Sequence, residues 1–308
     1  MADHELQRRS LLAGTGMGIL SMAGLGVPEL TRPRMAMAAN TDGLDDFTTF
    51  IKIYSSIAPG RHWWWFTGRW DLIAPGHTPV PLVGFDTLIR REVKREDGGV
   101  NHTRGWEGMV FWDLQSRELI DTMTNPINGR EISPHYTKEG PTNTRTSKAG
   151  FHIGAGAEGP QTRPIDFPRT VVGDAVWIER AMNARAPHPM KPAEWKLESS
   201  GELYWTNIVS ILRGKISEVN DPNVQMASAD YIIGGQSVPL PWMLMGQSGA
   251  MVGWTGYGRK LFTLDDLPAR SRRWYEERHP ELFGDAEPWT EYNNAFHGFM
   301  AARTPTAP

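Results

Sequence analysis

One stretch, residues 100–132, limits the possible folds more than any other part of the chain. Its large side chains alternate, with Trp106, Val110 and Trp112 on one face of an extended strand and Glu107 with Phe111 on the other. A strand that is apolar on both faces must be covered on both sides, or one side must line a pocket. Polar residues 113–117 predict a turn, and 118–124 runs back to a second turn at 125–129. The stretch therefore predicts an antiparallel hairpin.

Further segments with strand character extend this hairpin into two meanders. Residues 61–70 and 82–96 precede it, and the turn residues Asp97-Gly98-Gly99 join the second of them to the hairpin. The later segments with strand character are 174–185, 195–200, 202–213 and 224–233. Roughly eight long strands are enough to close a barrel. We therefore predict a mainly β fold, an antiparallel meander that closes into a lipocalin-like barrel of about eight strands.

Helices are predicted to flank the barrel at both ends of the mature chain. Residues 41–57 carry an apolar stripe, residues 267–278 follow the capping residues Asp265 and Asp266, and a last helix contains Phe296 and Phe299. Residues 133–169 show no clear periodicity, and we interpret them as a long irregular loop.

The first 38 residues are typical of a twin-arginine export signal. Arg8-Arg9 precede a weakly apolar, glycine-rich run, and Ala36-Met37-Ala38 forms a small-x-small cleavage site. The apolar run is short for a membrane span. We expect the twin-arginine translocase to export the protein to the periplasm or beyond. Residues 39–303 then form a single domain, and 304–308 form a loose tail.

Composition excludes several kinds of chemistry. The chain has 32 Lys and Arg and 35 Asp and Glu residues, of which residues 1–38 contain four and three, so the mature part has 28 and 32 and a formal charge of −4. This mild charge favours neither nucleic acid nor stable membrane insertion. The absence of cysteine excludes thiolate catalysis, iron–sulfur clusters and cysteine-bound zinc. Because no dinucleotide-binding, phosphate-binding or zinc-protease motif occurs either, we predict no cofactor and no metal.

One motif resembles a known family. The pattern W-D-x-x-S/T-x-E-L, then N-P-x-x-G and a later histidine, is similar to an exported bacterial and fungal family catalogued as domain of unknown function 1838. The residues that carry this likeness are Trp112-Asp113, Glu118-Leu119, Asn125-Pro126, Gly129 and His135, with Val176-Trp177 and Asn207 further on. Arg117 stands where the family pattern has glycine. The resemblance covers most of residues 45–300, implies an exported β-rich protein and brings no catalytic residues.

Polar residues on strands that face a barrel lumen are the natural site candidates, because burial shifts their pKa values. We predict acid–base roles for His102, Glu107, His135 and Tyr136. We predict substrate-binding roles for Arg91, Arg180, Asn207, Trp106, Trp112, Trp177 and Trp205. Structural alternatives remain open at this point: an ion pair between Arg180 and Glu107, a surface position for His102, and tryptophans that only fill the core.

Three functions fit these observations. The first is a cofactor-independent lyase, decarboxylase or isomerase that acts on a hydrophobic or aromatic small molecule; it predicts ionisable groups that meet inside a pocket. The second is a non-catalytic carrier of such a molecule, which predicts an apolar lumen. The third is a structural envelope protein, which predicts no pocket. A lumen filled by side chains would count against the first two.

Overall fold

The computed structural model describes residues 42–156 and 159–307, so the predicted export signal lies outside the described residues. The strands are β1 (Gly60–Ile73), β2 (Val80–Glu96), β3 (Val100–Trp112), β4 (Met123–Thr124), β5 (Glu131–Ile132), β6 (Lys138–Ser147), β7 (Gly150–Gly156), β8 (Gly159–Arg163), β9 (Arg169–Val172), β10 (Ala175–Pro187), β11 (Leu203–Lys215), β12 (Ala229–Ser237) and β13 (Met251–Leu261). The helices are α1 (Asp46–Tyr54), α2 (Ile216–Asn220), α3 (Ala269–Arg278) and α4 (Ala295–Ala302). None of these helices is long and apolar enough to cross a membrane.

One antiparallel sheet of eleven strands dominates the fold, in the order β8-β7-β6-β3-β2-β1-β13-β12-β11-β10-β9. Strands of the two predicted meanders lie in its two halves, and the pairing of β1 with β13, a strand that was not predicted, joins them. The prediction of a mainly β, antiparallel fold is therefore confirmed. The sheet is not closed by hydrogen bonds, however, because β8 and β9 are its edges in the described part of the chain, and it has eleven strands where about eight were predicted.

Four of the five strands of this sheet that were not predicted come from the segment that was predicted to be an irregular loop, and the fifth is β13. Residues 138–172 provide β6, β7, β8 and β9. Their sequence lacks the alternation of large apolar groups, since β6 is rich in Thr, Asn and Arg, and β7 in glycine. Backbone hydrogen bonds and a few partly buried side chains, such as Phe151, hold these strands at the margin of the sheet, so a regular hydrophobic pattern is not required there. Conversely, residues 195–200 were predicted to form a strand but do not form one.

The hairpin predicted at 100–132 is only partly correct. β3 pairs with β2 and β6, while the segment after it contributes only an isolated bridge and the small β4–β5 hairpin around turn 125–129. Arg117, which stands in the place of the family's glycine, has a φ of 62°, in the left-handed region that favours glycine. Its guanidinium carbon lies 4.8 Å from the centroid of the Trp112 ring.

β1, β2 and β3 are buried on both faces, as their apolar pattern predicts. On the outer face, α3 covers a cluster that contains Trp106, Trp112 and Trp274. On the inner face, the Trp70 ring stacks on Trp254 with the ring centroids 5.8 Å apart. The inner face of the whole sheet shares one continuous core, in which residues of β1–β3 and β10–β13 meet.

Candidate functional site

Helix α1 carries Tyr54 into the inner core. The helix begins after Asp45, whose carboxylate accepts a hydrogen bond from the Thr48 backbone N–H at 2.6 Å. Its buried face includes Phe47, Phe50, Ile51 and Tyr54, the last residue of the helix. The indole N–H of Trp64 donates to the Tyr54 carbonyl at 3.0 Å, which fixes the position of the phenol.

A buried lysine holds the end of the same helix. Lys260 Nζ donates to the carbonyls of Lys52 at 2.7 Å and of Ser55 at 3.0 Å. A cation at a helix C-terminus satisfies free carbonyls and interacts favourably with the helix dipole. Burial lowers the pKa of Lys260, and the neighbouring charge of Arg91 lowers it further. Lys260 is therefore a positioning residue for Tyr54.

Two arginines converge on the Tyr54 hydroxyl. Arg91 Nη2 donates to Tyr54 Oη at 2.7 Å, and the Arg91 guanidinium carbon lies 4.0 Å from the ring centroid. The guanidinium carbon of Arg180 lies 4.7 Å from the same ring. Burial alone would raise the pKa of Tyr54, but the charges of both arginines and their hydrogen bonds outweigh burial and hold this pKa below its ordinary value. The site therefore stabilises a negative charge on this hydroxyl, or on another group in its place.

A small cavity adjoins Tyr54. It is lined by Tyr54, Trp64, Phe66, Ile89, Arg91, Leu212 and Tyr231, and its volume of about 10 Å³ leaves room for about one water molecule. Arg180 contacts residues that line this cavity and residues that line a second hollow of similar size: its guanidinium carbon lies 4.7 Å from the Tyr54 ring, and 5.7 Å and 5.3 Å from the rings of Phe50 and Phe167, which line the second hollow. The interior is thus densely packed, and two buried guanidinium nitrogens of Arg180, Nε and Nη1, have no hydrogen-bond partner among the described residues.

His62 is the most unusual polar group of the inner face. It lies opposite Arg91 in the β1–β2 register and is only 1 % exposed. Neither of its ring nitrogens has a hydrogen-bond partner within the described residues. Burial, together with the charges of Lys260 and Arg91, lowers the pKa of His62 well below its ordinary value, so the ring is neutral. A neutral imidazole with two free nitrogens can both donate and accept a proton.

A pair of glutamates completes the inner cluster. Glu107 of β3 lies directly opposite Glu139 of β6, and both are buried. Burial, followed by the charge of Glu139, raises the pKa of Glu107 well above its ordinary value, although Arg91 counteracts this. Burial also raises the pKa of Glu139 to about 7. Carboxyl groups of this kind can act as acids near neutral pH.

The structure places Arg91, Arg180 and Glu107 of the predicted residues in this inner cluster. His102 lies on the outer face near the sheet margin, where Nδ1 is 2.9 Å from Glu96 Oε1 and Nε2 is 3.0 Å from Asn143 Oδ1. Asn207 is exposed. Neither of these two residues contacts the cavity.

His135 and Tyr136 lie beneath the C-terminal helices. The His135 ring packs edge-on against Phe299 of α4, with the ring centroids 5.7 Å apart, and burial lowers its pKa. Tyr136 Oη donates to the Ile120 carbonyl at 2.7 Å, and burial raises the pKa of this tyrosine to about 12. Both side chains are therefore tied to the packing of the loops and of α4.

The predicted tryptophans are also distant from the cavity. Trp106 donates to the Trp289 carbonyl at 2.8 Å and Trp112 donates to Asp86 Oδ1 at 3.0 Å, both on the outer face. Trp177 and Trp205 are half-buried, and the Trp177 ring lies against an arginine of the neighbouring strand. The tryptophan that does line the cavity is Trp64, in the run Trp63-Trp64-Trp65 of β1.

Sequence reasoning did not find Tyr54, His62, Glu139 or Lys260. Tyr54 belongs to the apolar stripe of α1, so it was assigned to packing. Glu139 lies in the segment that was interpreted as a loop. The alternation of β1 does place His62 on the same face as Trp64 and Phe66, and this was a usable signal.

The fold and site together define a mainly β protein whose large antiparallel sheet carries a cluster of ionisable side chains on its inner face. Residues 62–296, more than half of the chain, match the family described as "Protein of unknown function (DUF1838)", and the chain belongs to this family. The resemblance drawn from the sequence is thereby confirmed. Tyr54 precedes the matched range, whereas the other members of the inner cluster lie within it. No curated protein matches the chain.

Within residues 42–156 and 159–307, no three potential metal ligands among His, Asp and Glu come together closely enough to hold a metal ion.

Proposed function

We propose that the protein is an exported enzyme that moves protons on a small organic anion, as a cofactor-independent lyase, decarboxylase or isomerase. The observation that supports this most is the Tyr54 hydroxyl, which Arg91 contacts at 2.7 Å and Arg180 flanks in a water-poor interior. A phenol whose pKa is lowered by two cations is suited to act as a general base. The carrier hypothesis expects an apolar lumen with one anchoring group, and this interior contains several charged groups.

Each residue has a distinct role in this proposal. Tyr54 Oη accepts a proton from a carbon next to a carbonyl or carboxylate. Arg91 and Arg180 bind the carboxylate and stabilise the enolate that develops, since guanidinium groups pair strongly with such oxygens. The rings of Phe50, Trp64 and Phe167 offer apolar walls, so the substrate has a hydrophobic or aromatic body.

The packed interior adds a requirement. A cavity of about 10 Å³ does not hold a molecule larger than water, so the substrate must displace side chains. Arg180 contacts Tyr54 of the cavity and Phe167 of the second hollow, so we propose that rotation of Arg180 and Phe167 joins the two spaces. The same packing counts against a carrier of a large ligand and also against an enzyme whose substrate cannot displace these side chains. It favours the structural envelope protein as the alternative function.

We also propose that the sheet curves into a barrel-like container in which the catalytic groups are held, and that the protein acts in the periplasm or outside the cell after export by the twin-arginine translocase. The charge of Glu139 on β6 raises the pKa of Tyr204 on β11, although several strands separate them along the sheet. Such proximity supports strong curvature. The twin arginines and the cleavage site of residues 1–38 support export.

Proton exchange tests the enzyme proposal. The mature protein is incubated in heavy water with a panel of 2-oxo and 3-oxo carboxylates that carry alkyl or aryl groups, and NMR follows the loss of the proton next to the carbonyl. We expect catalysed exchange in part of the panel, reduced about 100-fold or more in Tyr54→Phe, because general-base catalysis contributes on that order. Arg180→Met should weaken substrate binding, since it removes a charged partner of the carboxylate.

Tyr275→Phe is the matched control. Tyr275 is completely buried, its hydroxyl has no partner among the described residues, and it belongs to the outer cluster under α3. This variant should exchange like the wild type. Equal rates in Tyr54→Phe and the wild type, or no exchange with any compound, would contradict the proposal and favour the structural alternative.

A further inference from the structure

Two buried carboxyl groups oppose each other beside the Tyr54 site. The β3–β6 register sets Glu107 directly opposite Glu139, and these residues are 4 % and 5 % exposed. Directly opposite residues of an antiparallel pair lie on the same face, with Cβ atoms roughly 5 Å apart. Two negative charges at such a separation, in an interior of low dielectric constant, repel each other strongly. The geometry therefore disfavours a state in which both carboxyl groups are ionised.

The surroundings allow for one negative charge on this pair. Arg91 is the cation that acts on Glu107, and it is shared with the Tyr54 hydroxyl. Tyr204 from β11 faces the pair from the inner side, and burial together with the charge of Glu139 raises its pKa. Tyr275 lies on the other side of the sheet, in the outer cluster, where burial and the charges of Asp86 and Glu107 raise its pKa. Both phenols therefore remain neutral. One positive charge is thus available to oppose two carboxyl groups.

The remaining contact is with the N-terminus of α4. The backbone N–H of Ala295, the first residue of that helix, donates a hydrogen bond to the Glu139 carboxylate. This bond stabilises a charge on Glu139. It leaves Glu107 as the member of the pair that retains a proton.

We propose that Glu107 and Glu139 hold one proton between them, and that this pair is the second proton-transfer group of the interior site, opposite in role to Tyr54. The shared proton does not depend on the proposed function; its use in catalysis does. Glu107 lies opposite Ile89 in the β2–β3 register, and Ile89 lines the cavity, so the pair is one strand away from that space.

The transfer balances in protons and charge. The Tyr54 phenolate accepts a proton from the substrate carbon, and the glutamate pair releases its proton to a second atom of the same substrate. The phenol becomes neutral and the pair becomes doubly ionised. A proton that passes from Tyr54 back to the pair, through water, restores the starting state. The substrate thus loses one proton and gains another at a different atom, which is an isomerisation.

Burial makes the proton available at neutral pH. Burial raises the pKa of Glu139 to about 7, and burial together with the charge of Glu139 raises the pKa of Glu107 further. The two groups titrate as a unit, in two macroscopic steps.

Infrared spectroscopy tests the shared proton without any substrate. The C=O stretch of a protonated carboxyl group is followed from acidic to alkaline pH in the mature protein. We expect the wild type to lose this band in two steps, one near neutral pH and one at higher pH. Glu107→Gln and Glu139→Gln should each lose it in a single step, because one of the two titrating groups is gone and the other no longer faces a like charge.

Glu198→Gln is the control for a change at another buried glutamate. Glu198 is 3 % exposed and accepts a hydrogen bond from the Thr306 backbone N–H at 2.7 Å, away from the cavity. Its variant should keep both steps. If both Glu107→Gln and Glu139→Gln still lose the band in the same two steps as the wild type, or if the wild type shows no band at neutral pH, the two carboxyl groups do not share a proton and the inference is wrong.

The proton-exchange assay tests separately whether the glutamate pair takes part in catalysis. Glu107→Gln and Glu139→Gln should slow the conversion of an enolisable substrate to its isomer and alter the alkaline limb of the pH–rate profile, while Tyr54-dependent exchange continues. An unchanged pH–rate profile in both variants refutes the transfer role, even where infrared spectra show the shared proton. If no compound of the panel reacts with the wild type, the proposed function fails, while the infrared result still decides the shared proton.

Discussion

Asp86 offers the sharpest test of the physical reasoning about this fold. Its carboxylate is completely buried on the outer face of β2. Oδ1 accepts hydrogen bonds from Thr67 Oγ1 at 2.6 Å and Trp112 Nε1 at 3.0 Å, and Oδ2 accepts from Trp65 Nε1 at 3.1 Å and from Ser271 Oγ. Because Ser271 belongs to α3, this one side chain joins three strands to the helix that covers them. We predict that Asp86→Ala destabilises the protein by about 3–5 kcal/mol, in the range that loss of a buried polar network produces.

The magnitude follows from the four donors. The two indole N–H groups lose their acceptors, at about 1–3 kcal/mol each for a buried unsatisfied donor. Thr67 retains its second acceptor, the Phe85 carbonyl at 3.2 Å, and the Ser271 hydroxyl can reorient, so these two contribute less. Removal of a buried carboxylate offsets part of the loss, since burial raises the pKa of Asp86 and thus disfavours its charged form.

Urea unfolding, followed by tryptophan fluorescence, measures this loss. Asp86→Asn should cost about half as much, about 2 kcal/mol, because its amide nitrogen replaces one acceptor and leaves one indole unpaired. Asp121→Ala is the exposed control; Asp121 Oδ1 lies 2.9 Å from Arg278, and such surface pairs contribute at most about 1 kcal/mol. If Asp86→Ala loses no more stability than Asp121→Ala, the hydrogen-bond network does not hold α3 on the sheet.

Three further predictions concern stability. A Cβ on Gly84 would lie 2.2 Å from Trp112 Cε2, so Gly84→Ala should cost about 1–3 kcal/mol in urea unfolding, whereas Gly284→Ala, with open space around it, should have an effect within about 0.5 kcal/mol. Burial lowers the pKa of His188 to about 4, so the native state disfavours the charged ring and loses stability as the pH falls from about 6.5 to about 4; His188→Asn should remove this loss in melting curves taken across that range. His62→Leu should raise the melting temperature, because it removes two buried nitrogens that lack partners.

The alternation of apolar side chains between the two faces of a strand, with a period of two residues, provided most of the fold prediction. It correctly gave β2, β3, β10 and β11, since central strands need apolar groups on at least one face. It failed for β6–β9, where edge pairing depends on backbone groups that any sequence supplies. Closure of a barrel depends on whether the two edge strands meet, and no side-chain pattern specifies this.

The site was predicted to the extent that it lies on those regular strands. The alternation alone placed Arg91, Arg180 and Glu107 among the apolar residues of one face, and the structure brings these three into one cluster. Tyr54 and Glu139 could not be found in this way, because their place depends on where α1 docks and on which strand pairs with β3. Contacts of this kind join residues that are distant in sequence, and a single chain contains no local sign of them.

The buried polar groups of this protein fall into two classes, and the difference bears on function. Asp86 and Lys260 are surrounded by matching partners, four donors for the one and two carbonyls for the other, as a structural role requires. His62 lacks hydrogen-bond partners in the described part of the chain, and Glu107 and Glu139 oppose like charges. Apolar side chains at these positions would give a more stable fold. Buried groups that cost stability beside a cavity and two arginines are typical of an active site, where groups must stay free to bind a substrate or to exchange a proton.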